Sequence, residues 1–340
     1  MTPLVSILIP AYNAEEYIGE TLESAVAQTY PHREIIVVND GSRDRTLEIA
    51  RSFEPRGVTV VTQQNQGAAA ARNAALKASR GDYIQWLDAD DLLGPEKIER
   101  QIASVGKNPD PQVLLSSEWG RFLYRPDRAE FTPTALWSDL SPADWLRLKL
   151  GNNLYMQTAT WLVSRQLTEA AGPWNTELLG DDDGEYFCRV LLRSRAVRFV
   201  PGARVFYRLA GADTLSNIGQ SDRKMEAHIH SMRLHLGYMR SLDDSEQVHR
   251  ACVQYLQTSL IHVYPERPDI VEQMQAMAAE FGGRLTLPKL SWKYALLGAV
   301  FGMRQAKRMQ GQLRGFRWAV TRKWDRTLAR FSGSRPPRTA

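Results

Sequence analysis

Asp82-Tyr83-Ile84-Gln85-Trp86-Leu87-Asp88-Ala89-Asp90-Asp91 is the stretch on which the reading of this chain turns. Tyr83 to Leu87 has the length and aromatic content of a buried strand, and three carboxylates follow at its carboxyl end. In an open α/β sheet, ligands bind outside the carboxyl ends of the strands. Carboxylates packed this closely repel one another and ask for a cation. Asp88-Ala89-Asp90 is too short for a calcium loop. It suits a hard metal that keeps waters and takes its other ligands from a substrate diphosphate. A bare D-x-D triplet is more often a solvated acidic turn, so the segments upstream carry the decision.

Val5 to Pro10 reads as a buried parallel strand ended by Pro10, followed by the loop Ala11-Tyr12-Asn13 and helical spacing from Ala14 to Gln28. Glu34 to Val38 is a second apolar strand with the turn Asn39-Asp40-Gly41-Ser42 at its end. A helix over Asp44–Phe53 and a strand over Val58–Thr62 come next. Asn65-Gln66-Gly67 then precedes the alanine-rich Ala68 to Ala78, a strong helix former. Strand and helix alternate four times, which predicts an α/β fold with a doubly wound, mostly parallel sheet. Right-handed crossovers bring the strand-end loops to one rim, so Tyr12, Asp40, Gly67 and Asp88 to Asp91 surround one crevice. Asp40 suits a base edge, Tyr12 its face, the helix start after Gly67 a phosphate, and Arg72 the charge of a diphosphate. Singly, each has a plainer use in packing, turning or solvation. Gathered on one rim, they favour a ligand site.

Val5 to Ile9 with Pro10-Ala11-Tyr12-Asn13, Gln28-Thr29-Tyr30, Glu34 to Ser42, Asn65-Gln66-Gly67 with Arg72-Asn73, and Leu87 to Asp91 together resemble the family 2 glycosyltransferases of the GT-A fold. The match is dense over about the first 100 residues and thinner to about residue 216. The resemblance implies a Rossmann-like, mostly parallel sheet flanked by helices, and a crevice for a nucleotide sugar, usually a UDP-sugar. It implies Mn²⁺ or Mg²⁺ held on the diphosphate by the D-x-D segment. Carried onto this sequence, Asp40 contacts the base with Pro10 and Tyr12 beside it, and Arg72 lies near the nucleotide. Asp88 lies near the ribose or donor sugar, and Asp90 holds the metal.

Leu178 to Leu191 supplies a second acidic group, Asp181-Asp182-Asp183, opening an apolar-periodic helix where negative charge suits the helix dipole. A helix cap or a solvated loop would explain one or two of these acids. The segment resembles the family's acidic pair that precedes an aromatic and an Arg. Counting back six from Arg189 assigns the general base to Asp183. Gln157 to Arg165 and Gly172 to Asn175 resemble the strand and loop leading to this helix. Val197–Val200 and Ala203–Tyr207 read as strands. Tyr207-Arg208 resembles a pair whose Arg reaches the diphosphate. Leu209 to Ser216 lacks the His that many members carry, which leaves a third protein ligand to the metal open. The implied reaction is inverting transfer of a sugar to a glycan or lipid-linked acceptor. A nucleotidyltransferase would show a Gly-rich basic loop where this chain has Ala11-Tyr12-Asn13. A non-catalytic sugar-nucleotide-binding protein on a membrane is the third reading, and the joint retention of Asp88, Asp90 and Asp183 speaks against it.

Hydrophobic content of 43% and charged content of 24% over 340 residues are those of an ordinary globular chain. Two cysteines, Cys188 and Cys252, imply neither a disulfide framework nor a Cys-based metal site. No positively charged segment precedes Val5, so no signal peptide is expected, and the apolar run Ala295–Met303 is too short to span a bilayer. A cytoplasmic protein is expected, peripheral on the inner face of a membrane if its tail binds lipid. From Arg284 onward, 14 Lys or Arg face one acid, Asp325, so this tail carries +13 and the preceding residues −8 of the overall +5. Met309, Leu313, Phe316, Val320, Trp324, Leu328 and Phe331 recur at helical spacing among the basic residues. The tail suits an anionic membrane surface, or packing on the protein or a partner; nucleic acid is not expected. Ser332 to Ala340 is expected to be disordered. Asp222 to Phe281 reads as helical, and its histidines, His228 and His235 among them, read as core or surface groups. These readings divide the chain into a nucleotide-sugar half (1–115), an acceptor half with the base (116–216), a helical extension (217–285) and a basic amphipathic tail (286–340).

Overall fold

The computed structural model describes residues 2–106, 109–178, 180–209, 221–288 and 302–332. The expectations for Ala210 to Ser216, for most of Ala295–Met303 and for the end beyond Ser332 lie outside these residues. The strands, in chain order, are β1 (Val5–Ala11), β2 (Arg33–Asp40), β3 (Val58–Gln63), β4 (Tyr83–Trp86), β5 (Leu92–Leu93), β6 (Val113–Phe122), β7 (Glu130–Phe131), β8 (Val163–Ser164) and β9 (Ala196–Arg208). Helices α1 (Ile18–Val26), α2 (Thr46–Ser52) and α3 (Ala68–Ala78) link the first four strands. Val5, Ile7, Leu8 and Ile9 of β1 are all fully buried, as a central parallel strand covered on both faces requires. The first sheet runs β3-β2-β1-β4-β8, parallel except at β8. The alternation in the sequence predicts this, and it brings the ends of β1, β2 and β4 to one rim.

A second sheet runs β5-β9-β6-β7, with β6 and β9 parallel. The two strands expected over 197–207 are one strand, with a register shift at Ser117/Glu118. Pro201 has no N–H to give the ladder, and the Gly202 N–H donates to the Glu118 carboxylate at 2.8 Å instead. Helices α4 (Lys97–Ser104), α5 (Pro142–Gly151), α6 (Arg165–Ala171), α7 (Asp182–Arg193), α8 (Asp222–Leu242), α9 (Glu246–Val263) and α10 (Pro268–Glu280) complete the body, and α11 (Met303–Ser332) follows. One continuous apolar core extends from Val5 through both sheets to Phe281. Residues 115 and 116 lie within β6, and residues of the first three segments contribute to one apolar core.

An aromatic stack joins β4 to α7 and thereby sets the site. Trp174 lies flat on Tyr186 at 4.0 Å between ring centroids, and Trp86 of β4 meets both rings edge-on, at 5.2 and 5.9 Å. Trp161 stacks on Phe187 of the same helix at 5.4 Å. Such pairs add about 0.5–1.5 kcal/mol each beyond their buried area. They hold the start of α7 opposite the end of β4.

His228 and His235 do share a face of α8, and that face is buried. His228 meets the His262 ring edge-on at 6.0 Å, and neither of its ring nitrogens has a hydrogen-bond partner. Burial, reinforced by His262 and His235, pushes its pKa down to about 4. The unfolded chain takes up this proton near pH 6.5, whereas the native state refuses it until about pH 4. Stability from this residue is therefore complete above pH 6.5 and is lost as pH falls through that window, at about 1.4 kcal/mol per pH unit. In denaturant unfolding, the gap between wild type and His228→Leu should shift by about 2 kcal/mol in favour of the variant between pH 7 and 4.5. A gap independent of pH would show that His228 does not titrate this way.

Candidate active site

The rim is built by backbone turns before any side chain acts. Gly41 has φ +70°, and a Cβ there would lie 2.8 Å from the Asn65 N, so the turn after β2 closes directly onto the loop before α3. Asp40, buried at the end of β2, locks that closure. Its carboxylate accepts from the Gln66 N–H at 2.9 Å, the Gly67 N–H at 2.8 Å and Gln63 Nε2 at 2.8 Å. The Gly67 N–H thus serves Asp40, while the helix start expected to face phosphate follows it at Ala68. The loop after β1 is tied to the next turn by Asn13 N–H to Ser42 Oγ (3.1 Å) and Ala14 N–H to Thr46 Oγ1 (2.7 Å). Pro10 is partly covered, and Tyr12 stands out at 47% exposure, free to cover a flat ligand.

Arg72, on α3 and 6% exposed, is the centre of the site. Its Nη2 donates to Asp88 at 2.8 Å and its Nη1 to Asp182 at 2.7 Å. The guanidinium carbon lies 4.4 Å above the Trp174 ring. Burial works against the Arg72 charge, but Asp88 and Asp182 outweigh it and hold the cation firmly protonated. One side chain thus joins acids 94 residues apart in sequence, the end of β4 and the start of α7. The two acidic groups singled out in the sequence face each other here.

The neighbouring acids differ by what they touch. Asp91 is fully buried and accepts from the Arg208 N–H at 2.8 Å and from Gln157 Nε2. Burial first, then Asp90 and Asp88, push its carboxyl well above the usual range. Asp90 has no hydrogen bond to its carboxylate from any other residue among those described. Burial and then Asp88 push it up to about 6, against the pull of Arg208. An unpartnered carboxylate beside a second one is the donor set a hard divalent cation fits. Among the described residues, no group of three or more His, Cys, Asp or Glu is arranged to hold a metal.

Asp183, in the first turn of α7, accepts from Thr158 Oγ1 at 3.2 Å. Burial, then Asp181, raise its carboxyl, while Arg72 and Lys149 oppose the shift. It borders a cavity of about 80 Å³ lined in part by Trp145, Lys149, Tyr155, Trp161 and Asp181. Asp181 occupies the left-handed region at φ 57°, and a Cβ on Gly184 would fall 2.2 Å from its Oδ1; glycine there is what allows the turn. Arg208 is turned inward. Its Nε donates to the Asp90 carbonyl at 2.8 Å and its Nη2 to Glu20 at 2.6 Å, with the guanidinium between Tyr17 and Phe122. In this structure it braces the D-x-D loop and is only 2% exposed, which differs from an Arg reaching for diphosphate.

Gln157, Thr158, Asp91 and Trp174 are positioning residues that motif reading did not single out. Asp91 stood in the quoted run, and the other three stood in segments noted as leading to α7. Arg72→Ala should cost about 3 kcal/mol of unfolding free energy, the low end for a buried ion pair, because two partly buried carboxylates lose their shared cation. Arg72→Lys should fall between, since one ammonium cannot span both acids as a planar fork does. Denaturant midpoints measure both, and a loss under about 1 kcal/mol for the alanine variant would contradict the bridge.

The model of glycosyl transferase family 2 matches residues 6–169. An uncharacterized glycosyltransferase of Rickettsia typhi is 45% identical over 114 residues, 34% of this chain and 36% of the relative. The putative teichuronic acid biosynthesis glycosyltransferase TuaG of Bacillus subtilis is 43% identical over 103 residues, 29% of this chain and 41% of TuaG. The matched part spans well under half the length of these curated relatives. Among solved structures, S. aureus TarS 1–349 in complex with UDP superposes with a TM-score of 0.62 at 18% identity, covering 91% of each chain. The mannosyltransferase PcManGT from Pyrobaculum calidifontis, in complex with GDP-Man and Mn²⁺, gives 0.53 at 20% identity, covering 96% of this chain and 88% of that one. At those identities the likeness concerns the fold. Over residues 6–169 the chain matches the model of glycosyl transferase family 2, and its fold is of the GT-A type.

Proposed function

We propose that the protein moves a sugar from a nucleotide-sugar donor, UDP-linked, to a glycan or lipid-linked acceptor, with inversion at the anomeric carbon. The observation that carries this reading is the Arg72 bridge, which sets the D-x-D acids and the α7 acids across one crevice. TarS in complex with UDP and PcManGT in complex with GDP-Man show that two chains of this fold hold nucleotides, which supports a nucleotide donor here. Tyr12 and Pro10 would flank the base, with Asp40 at its edge, and the α3 start after Gly67 would face the diphosphate with Arg72 beneath it. Asp88 would meet the ribose or donor sugar.

Asp90, with Asp88 beside it, would hold Mn²⁺ or Mg²⁺. Such an ion, when bound, offsets the negative charge that develops on the departing diphosphate. Asp183 would take the proton of the attacking hydroxyl. A sugar alcohol is a poor nucleophile near neutral pH, and a carboxyl raised by burial and by Asp181 is a stronger base than a solvated one. Thr158 orients that carboxylate through its hydroxyl, and the aromatic-lined cavity beside it gives a sugar ring apolar faces to lie on. Arg208 and Asp91 would keep the D-x-D loop from moving as charge redistributes.

Release of nucleoside diphosphate, measured with Mn²⁺ and each common nucleotide sugar, should single out one donor. Chelation should stop release and added Mn²⁺ restore it. Release from no donor, with no donor bound, would leave a non-catalytic protein as the better reading. Asp183→Asn should lower transfer about 10²–10⁴-fold while donor affinity stays within about twofold. A parallel loss of donor affinity would remove Asp183 from the role of base.

A further inference from the structure

The basic tail forms the single helix α11, despite Gly311 and Gly315, and its two sides are unlike. One side docks on the body through polar contacts. Asp325, the only acid of the tail, accepts from the Tyr124 N–H at 3.0 Å and from Arg125 Nε at 2.7 Å. Arg326 pairs with Glu16 at 2.9 Å, and Arg322 Nε donates to Tyr124 Oη at 3.2 Å. Trp318 and Leu328 are half-buried near the same side. The other side is apolar and uncovered: Met309, Leu313, Phe316, Val320, Trp324 and Phe331 are all exposed, Phe316 at 69% and Trp324 at 66%. At about 100° per residue these six fall within an arc of about 80°, and Asp325 lies roughly opposite. Exposed Arg317 flanks one margin of the stripe, and exposed Lys323 and Arg330 flank the other.

The expectation that the stripe packs on the body is therefore not met among the described residues: the body takes the polar side. We infer that the outward face of α11 is a docking surface for an anionic lipid bilayer, lying in the interface with Phe316, Val320 and Trp324 among the acyl-chain boundary and Arg317, Lys323 and Arg330 at the headgroups. The charge of the tail, +13 from Arg284 to the end, matches an anionic surface and opposes a second copy of itself. Among the described residues no helix is long and apolar enough to cross a membrane. The docking contacts also fix where the site stands. Arg208, which braces the Asp90 carbonyl, donates to the Leu123 carbonyl at 3.4 Å, next to the Tyr124–Arg125 segment that grips Asp325. The D-x-D loop is thus linked to the polar side of the helix, away from the face turned to the bilayer.

The test uses the full chain, without sugar, in flotation with neutral phosphatidylcholine vesicles and with vesicles holding anionic phosphatidylglycerol. Wild type should partition at least tenfold more onto the anionic vesicles. A Phe316→Ser, Val320→Ser, Trp324→Ser variant, altered only at exposed positions, should lose at least tenfold of that binding with an unchanged thermal transition. Equal binding to both vesicle types, or full binding by the triple variant, overturns the proposal. So does a wild-type dimer in sedimentation that the triple variant dissolves, since a second copy would then cover the stripe. Because no donor is present, failure here is separate from failure of the transfer reaction.

Discussion

A buried guanidinium shared by two carboxylates is the constraint on which this architecture depends. Asp88 follows the end of β4 and Asp182 opens α7 on the other side of the crevice, and both carboxylates are partly withdrawn from water at the buried Arg72. An ion taken out of water costs several kcal/mol unless its partners sit in good geometry. Arg72 meets that condition with both arms of its fork, so only one relative placement of β4 and α7 satisfies all three groups. The Trp86–Trp174–Tyr186 stack favours the same placement through apolar contact. Packing and charge agree at one point, which makes the placement specific.

That agreement leaves the remaining acids with unequal surroundings. Glu185, one turn into α7, is paired with Arg189 at 2.7 Å and receives the Tyr238 hydroxyl at 2.7 Å, so its oxygens are already engaged. Asp91 is engaged in the same way by Arg208 and Gln157. Asp90 and Asp183 have fewer partners, and burial raises both carboxyls. Carboxylates with unmet demand beside a crevice are the ones able to take a cation or a proton from a ligand. Hydrogen-bond partners alone thus set Glu185 and Asp91 apart from Asp90 and Asp183, without reference to any motif.

The first four strands and three helices were legible because their signals are local. A run such as Val5 to Ile9 is apolar throughout, and α3 begins and ends where the alanines do. The crevice was legible for a related reason: right-handed crossovers force strand ends to one rim whatever the loops contain. What each rim residue touches was not. Asp40 is a base-reading candidate by position, yet the turn permitted by Gly41 brings the Gln66 and Gly67 N–H groups onto its carboxylate. Arg208 likewise points inward because Glu20, Tyr17 and the Asp90 carbonyl, distant in sequence, converge on it.

The tail shows magnitudes deciding what pattern leaves open. Helical spacing gives an apolar stripe but not which side meets the body. The body contacts of α11 are ion pairs and hydrogen bonds at a partly wetted boundary, with Arg125 23% and Asp325 14% exposed. Pairs of this kind contribute about 1 kcal/mol or less each. Burying one side chain of the size of Phe316, Val320 or Leu313 is worth about 1.5–3 kcal/mol. Six such side chains standing in water on one face therefore outweigh the polar contacts on the other. The polar contacts orient the helix, and the free energy of association lies on the side turned away from the body. A surface that accepts an apolar ridge between rows of arginine and lysine is an anionic interface, and Asp325, by holding the opposite side, turns that ridge toward it.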